Sequence, residues 1–115
     1  MTVTEGYVDL LVMATKPQPT EPRLTHQSHK VLSAFLADPT AELAGADLLD
    51  STRLASGTLY PILMRFEEAG WLRSRWEKVD PSREGRPRRR FYRITATGVT
   101  RGSVLRAEIF GGVLA

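Results

Sequence analysis

The 115-residue chain has no cysteine. That excludes disulfide cross-links, thiolate zinc sites and thiol nucleophiles, and it suits a reducing compartment, so a cytoplasmic setting is expected. Long apolar runs are also missing: the longest, Leu10 to Ala14, is far too short to cross a bilayer. The start of the chain carries Glu5 and Asp9 and no early basic cluster, so it does not read as a secretory signal. No glycine-rich phosphate cradle follows a strand pattern, and no spacing sets a nucleophile beside a base, so an enzyme is not expected. Histidine is scarce too. His26 and His29 stand at i and i+3 without an obvious third ligand, and two polar residues in a first helical turn explain them better than a metal site; no cofactor is implied.

What the chain does have is enough apolar material for one compact domain: 42% of its residues are hydrophobic. Its net charge of +3 hides an uneven distribution. Between Trp71 and Arg101 ten basic residues face three acids, giving +7, while six bases and ten acids leave −4 on the rest. A mildly acidic body with one concentrated basic element suits an anionic polymer as partner.

The pattern along the chain orders the elements. Residues 1–15 have apolar positions at helical spacing, with Thr2 and Glu5 placed for a capping box, although Gly6 and the β-branched residues leave a strand or an arm open. Pro17, Pro19 and Pro22 then mark a stiff linker. Thr25 can cap a helix to about Asp38, a short helix fits Ala44 to Ser51, and a third runs to Ala69 with Gly70 as its left-handed stop. Pro61 is best tolerated in a first turn, which favours a start at Thr58 over Ser56. After Gly70 the period becomes two: Trp71 to Glu77 and Arg88 to Ile94 read as paired strands, with Lys78 to Pro87 as a long hairpin loop. Thr95 can cap a last helix to about Phe110.

That order is a winged helix-turn-helix: mainly α with a small β-hairpin, a three-helix core, a two-stranded wing and a C-terminal helix. The expected division is residues 1–23 as an arm or short helix with a Pro-rich linker, 24–97 as the winged helix, and 98–115 as a C-terminal dimerisation helix. The start of the third helix offers free backbone N–H groups beside Ser56, Gly57, Thr58, Tyr60 and Pro61, with Arg65 at the limit of reach, a surface suited to phosphates or base edges. For Thr58, capping and contact are both open. Glu67 and Glu68 would be repelled by phosphate, so only the first two turns are expected in a groove. The wing adds Arg83, Arg86, Arg88, Arg89 and Arg90, more than edge protection needs and well shaped for a narrow minor groove. Trp71 is expected beneath the third helix, whereas Trp76, further out, could stack a small aromatic effector. Gly98, Gly102, Leu105 and Ile109 share a face that could bring two subunits' helices together.

Three runs, Ser56-Gly-Thr-Leu-Tyr-Pro-Ile-Leu, Arg65-Phe-Glu-Glu-Ala-Gly-Trp-Leu and Gly85-Arg-Pro-Arg-Arg-Arg-Phe-Tyr-Arg-Ile-Thr, together resemble the PadR family of winged-helix transcriptional regulators. Upstream, Gly45-Ala46 stands where that family often has Gly-Tyr, and the short stretch after the wing looks like its short-tailed subgroup. The resemblance implies a homodimeric repressor that binds an operator in double-stranded DNA through its third helix and wing, often released by a small molecule. A winged-helix module that docks an acidic protein, and a nonspecific architectural DNA binder, are the alternatives.

Overall fold

The chain leaves its extended lead-in at Thr25. The Thr25 hydroxyl accepts from the Ser28 N–H at 3.2 Å, and the Ser28 hydroxyl accepts from the Thr25 N–H at 2.7 Å, a reciprocal cap that satisfies two orphan donors. Helix α1 (His26–Ala37) follows, with Val31, Leu32 and Phe35 buried, and it ends in an extended Asp38 ahead of Pro39. The computed structural model describes residues 21–111. The expected N-terminal helix, its capping box, Pro17 and Pro19 lie outside the described residues.

Strand β1 (Leu43–Ala44) leads directly into α2 (Gly45–Thr52), whose Asp47 carboxylate accepts from the Ala44 N–H at 2.9 Å. Arg53 adopts a left-handed φ of 61° and donates its N–H to the Leu49 carbonyl, so α2 turns sharply into α3 (Ser56–Glu68). That helix starts at Ser56, two residues before the expected Thr58, and no side chain caps it. Pro61 therefore sits inside it. Lacking an N–H, Pro61 leaves the Gly57 carbonyl without its helical donor, which is tolerable because both residues are exposed to solvent.

Gly70, at φ 78°, ends α3 as expected. The Trp71 N–H donates to the Phe66 carbonyl at 2.8 Å and the Gly70 N–H to the Glu67 carbonyl at 3.0 Å, the two bonds of a Schellman stop. Strand β2 (Leu72–Trp76), a single helical turn α4 (Pro81–Glu84) and strand β3 (Arg90–Ile94) form the wing. The turn within the loop was not expected; Asp80 caps it and Gly85 closes it at φ 67°. The sheet has three strands in the order β1-β3-β2, all antiparallel, with Leu43 opposite Tyr92 and Ser74 opposite Tyr92 on the other side. The expected two-stranded hairpin is thus widened by β1, whose two residues are too few to show any period. Helix α5 (Ala96–Arg106), capped by the Thr95 hydroxyl at the Gly98 N–H, closes the fold and runs into a π-helical turn, Ala107–Gly111.

One apolar core joins these elements. Leu59, Ile62, Leu63 and Phe66 of α3 meet Val31, Leu32 and Phe35 of α1, and Leu72, Tyr92 and Ile94 of the sheet. Trp71 is 2% exposed and packs on Phe66 at 5.3 Å between ring centroids, beneath α3.

Two expectations about α5 are corrected. A Cβ at Gly98 would strike the Trp71 carbonyl oxygen, and one at Gly102 would come within 2.8 Å of a Leu32 methyl, so both glycines permit close packing within the subunit rather than between subunits. Leu105 also packs against the subunit's own core, and of the four residues only Ile109 stands exposed. Arg101, counted above with the basic element, is buried and pairs with buried Glu21 at 2.8 Å. It ties the start of the described chain to α5.

Gly98→Ala should destabilise by about 1–3 kcal/mol through overpacking against backbone, and Gly102→Ala by less, because a leucine methyl can yield. Thermal unfolding of the two variants checks the order. Glu21→Gln should cost about 3 kcal/mol, since it removes the buried charge that balances Arg101; the same melts measure it.

Candidate nucleic-acid interface

The outer face of α3 begins with an uncapped N-terminus, whose first N–H groups have no helical acceptor. Ser56 and Gly57 are exposed there, Thr58 is half-buried, and Pro61, Met64, Arg65 and Glu68 continue the outward face. Thr58 is not the cap, so of its two open roles the local one is removed. Tyr60 is 43% exposed, and its phenol lies across Gly45 at the first position of α2, where any Cβ would collide with the hydroxyl. Gly45 thereby lets α2 support the flank of Tyr60 while the rest of the ring stays at the surface.

The wing's arginines divide into held and free. Arg86 grips Glu77 at 2.7 and 3.2 Å and also donates to the Pro87 carbonyl. Arg88 donates through Nε to the Val79 carbonyl at 2.8 Å. Arg75 forks onto Glu42 at 2.7 and 2.9 Å and lies over the Phe91 ring, joining the lead-in of β1 to the wing. Arg90 donates to Ser74 and Glu67. Arg83 has only a 3.9 Å contact with Asp80, both side chains being largely solvated. Among the described residues, Arg65, Arg73, Lys78, Arg89 and Arg93 make no ion pair within 4 Å. Arg73 and Arg93 are directly opposite on β2 and β3, so two like charges share one exposed position.

The residues that hold these arginines, Glu42, Glu67, Ser74 and Glu77, are the functional residues that sequence reasoning missed. Their contacts span from 7 to 33 positions, so no local period betrays them. Glu77 shows how they work. The Arg86 guanidinium, with help from the Arg89 backbone N–H, holds its carboxyl below the ordinary value of 4.5. Likewise the Arg75 fork holds Glu42 down.

Trp76 is 54% exposed and borders an open groove of about 660 Å³ with Glu77, Lys78, Val79, Asp80 and Arg88, while the Arg90 guanidinium lies 5.2 Å from its ring centre. His26 and His29 stack on Phe110, with ring centres 6.1 and 4.1 Å away. The described residues contain no group of three or more His, Asp or Glu able to hold a metal. No helix among them is long and apolar enough to cross a membrane.

Because the folded-state pKa of Glu77 is depressed, its contribution to wing order is present above the ordinary glutamate value and is lost as pH falls through the lowered one. Glu77→Gln should reproduce that loss at neutral pH. Trypsin should then cut the Lys78–Arg89 loop several-fold faster than in the parent chain, with the helical core left intact.

This architecture matches solved winged-helix structures. A PadR-like transcription factor from Bacteroides fragilis superposes with a TM-score of 0.55 at 21% identity, over 76% of this chain and 81% of that one. A PadR family transcriptional regulator from Eggerthella lenta gives 0.56 at 21% identity, over 96% and 88%. BpsR of Bordetella bronchiseptica, solved to explain regulation of its DNA binding by 6-hydroxynicotinic acid, gives 0.59 at 18% identity, over 95% and 80%. At such identities the likeness is one of fold. No curated protein matches the chain. Residues 45–102, from the start of α2 to the middle of α5, match the transcriptional regulator PadR-like family, and the chain belongs to it.

Proposed function

We propose that the chain is a sequence-specific regulator of transcription, acting as a homodimeric repressor on a pseudo-palindromic operator. The observation that carries this reading is the pairing of an exposed, uncapped α3 N-terminus with a wing that keeps several arginines free of protein acids. Backbone N–H groups of Ser56 and Gly57, with Thr58, Tyr60 and Pro61, would meet base edges and phosphates in the major groove, and Arg65 would reach the flanking backbone. Arg83 and Arg89 at the wing would clamp phosphates or enter the adjacent minor groove. Arg86 and Arg88 shape the loop that presents them.

In a dimer, two α3 helices would enter successive major grooves about one helical turn, roughly 34 Å, apart. With Gly98, Gly102 and Leu105 engaged inside the subunit, Ile109 is the member of the expected face still free to contact a partner. The relation to BpsR makes a small aromatic effector reasonable, and exposed Trp76 is the ring it would stack on. The membership of the family makes a regulator, not an enzyme, the natural reading.

Selection from a random duplex pool tests the reading. An enriched palindrome supports it; no enrichment would favour a protein-interaction module, and enrichment of A·T content alone an architectural binder. If each subunit neutralises roughly four phosphates, log K should fall with log salt at a slope near −7, and a slope shallower than about −2 would exclude a phosphate clamp. Arg89→Ala should weaken all duplexes alike and reduce that slope by about two, one contact being lost from each subunit. Tyr60→Ala should instead lower discrimination between the selected site and random DNA, by roughly tenfold.

A further inference from the structure

Glu67 is misplaced for a DNA-binding helix. It lies on α3, in a protein whose ligand is read above as a polyanion, and simple electrostatics would have its removal strengthen binding. The structure gives it another task. Its carboxylate accepts from the Ser74 hydroxyl on β2 at 2.5 Å and from the Arg90 guanidinium on β3 at 3.3 Å. Ser74 in turn accepts from Arg90 Nη2 at 2.8 Å and Nε at 3.1 Å. The hydroxyl has one proton to donate, and it goes to the carboxylate; its lone pairs take the guanidinium. The polarity of the triad is therefore fixed, and each member is needed to orient the other two.

The setting of Arg90 restricts it further. Its guanidinium lies 5.2 Å from the centre of the Trp76 ring and 5.8 Å from that of Tyr92, and Tyr92 is buried in the core between β1 and β2. Arg90 pairs with Trp76 in the β2–β3 register, while Ser74 stands opposite Tyr92, so the triad spans both strands of the wing and the last turns of α3. A guanidinium with two hydrogen-bonded partners and two aromatic neighbours is not poised to leave for a phosphate. Arg89, one residue earlier, is exposed, and among the described residues its side chain makes no ion pair or hydrogen bond.

We infer that Glu67 and Arg90 are positioning residues: through Ser74 they set the angle between α3 and the wing, so that helix and wing reach their respective grooves together. This rests on the DNA-reading function proposed above and deepens it, and it removes Arg90 from the set of phosphate clamps. The binding strength of the protein then depends on a carboxylate that contacts no DNA.

The sign of one substitution separates brace from repulsion. Glu67→Gln, Arg90→Gln and the double variant are made in the full chain, with retained folding checked by circular dichroism; the pair is only part-buried, so the core should survive. Affinity for the selected palindrome should fall roughly tenfold in each single variant and no further in the double, because one shared interaction is being removed. The salt slope should stay unchanged in all three, whereas Arg89→Ala lowers it. The iodide-quenchable part of the tryptophan emission, which reports exposed Trp76 and not buried Trp71, should shift in the absence of DNA in Glu67→Gln although Glu67 does not touch that ring, because Arg90 is released from it. Tighter binding by Glu67→Gln, or a slope reduced by about two in Arg90→Gln, would overturn the brace and restore Arg90 as a clamp. A parent chain that selects no site would remove the DNA reading and the inference with it, and it is distinguished from the other outcomes because the parent alone reveals it.

Discussion

The backbone at Gly70 and Trp71 is the junction on which the remainder of the molecule depends. Gly70 stops α3, the Trp71 ring passes under it against Phe66, the Trp71 carbonyl accepts from the Thr95 N–H at 2.8 Å, and the Gly70 carbonyl accepts from the Thr95 hydroxyl at 2.6 Å. That same hydroxyl caps α5 at Gly98, and the Cα of Gly98 lies so close to the Trp71 carbonyl that no side chain fits. Four elements, α3, β2, β3 and α5, are thus referred to the backbone of these two residues. The outer face of α3 can carry Tyr60, Pro61 and Arg65 to the surface because its inner face and its end are fixed this firmly.

On that frame the charges are arranged in two populations. Some of the wing's arginines are bonded to acids and carbonyls within the chain, and they shape it: Arg75 with Glu42, Arg86 with Glu77. Others, Arg89 among them, are left to the solvent. Exposed ion pairs contribute little to stability, so the value of the first group lies chiefly in geometry. Each removes one guanidinium from the pool that can meet a polyanion while giving the loop a defined shape in which the second group is displayed. A wing of five unconstrained arginines would have to order itself on its ligand, at a cost in conformational entropy that the internal pairs have already offset.

Much of the fold was legible from local signals. Thr25 and Thr95 are capping residues whose partners lie three positions away, Gly70 is a stop that works within one turn, and the change to a period of two at Leu72 is a property of neighbouring residues. Pro61 suits a first turn and so points to a start of α3 at Thr58, whereas solvent exposure at Gly57 lets the helix start at Ser56 and run through the proline. Strand β1 is two residues long and exists only because β3 lies alongside. Gly98 and Gly102 show the same limit: a small residue on a helix face signals close approach, but not the identity of what approaches.

The sequence by itself determined the winged-helix order, the location of the basic element and the family resemblance, because helix caps, hydrophobic periods and charge runs are written in residues near one another. Only the tertiary structure decided which charges are free. Whether an arginine is a clamp or a brace depends on acids brought to it from 9 to 80 positions away, and the choice is made by the packing that brings them there.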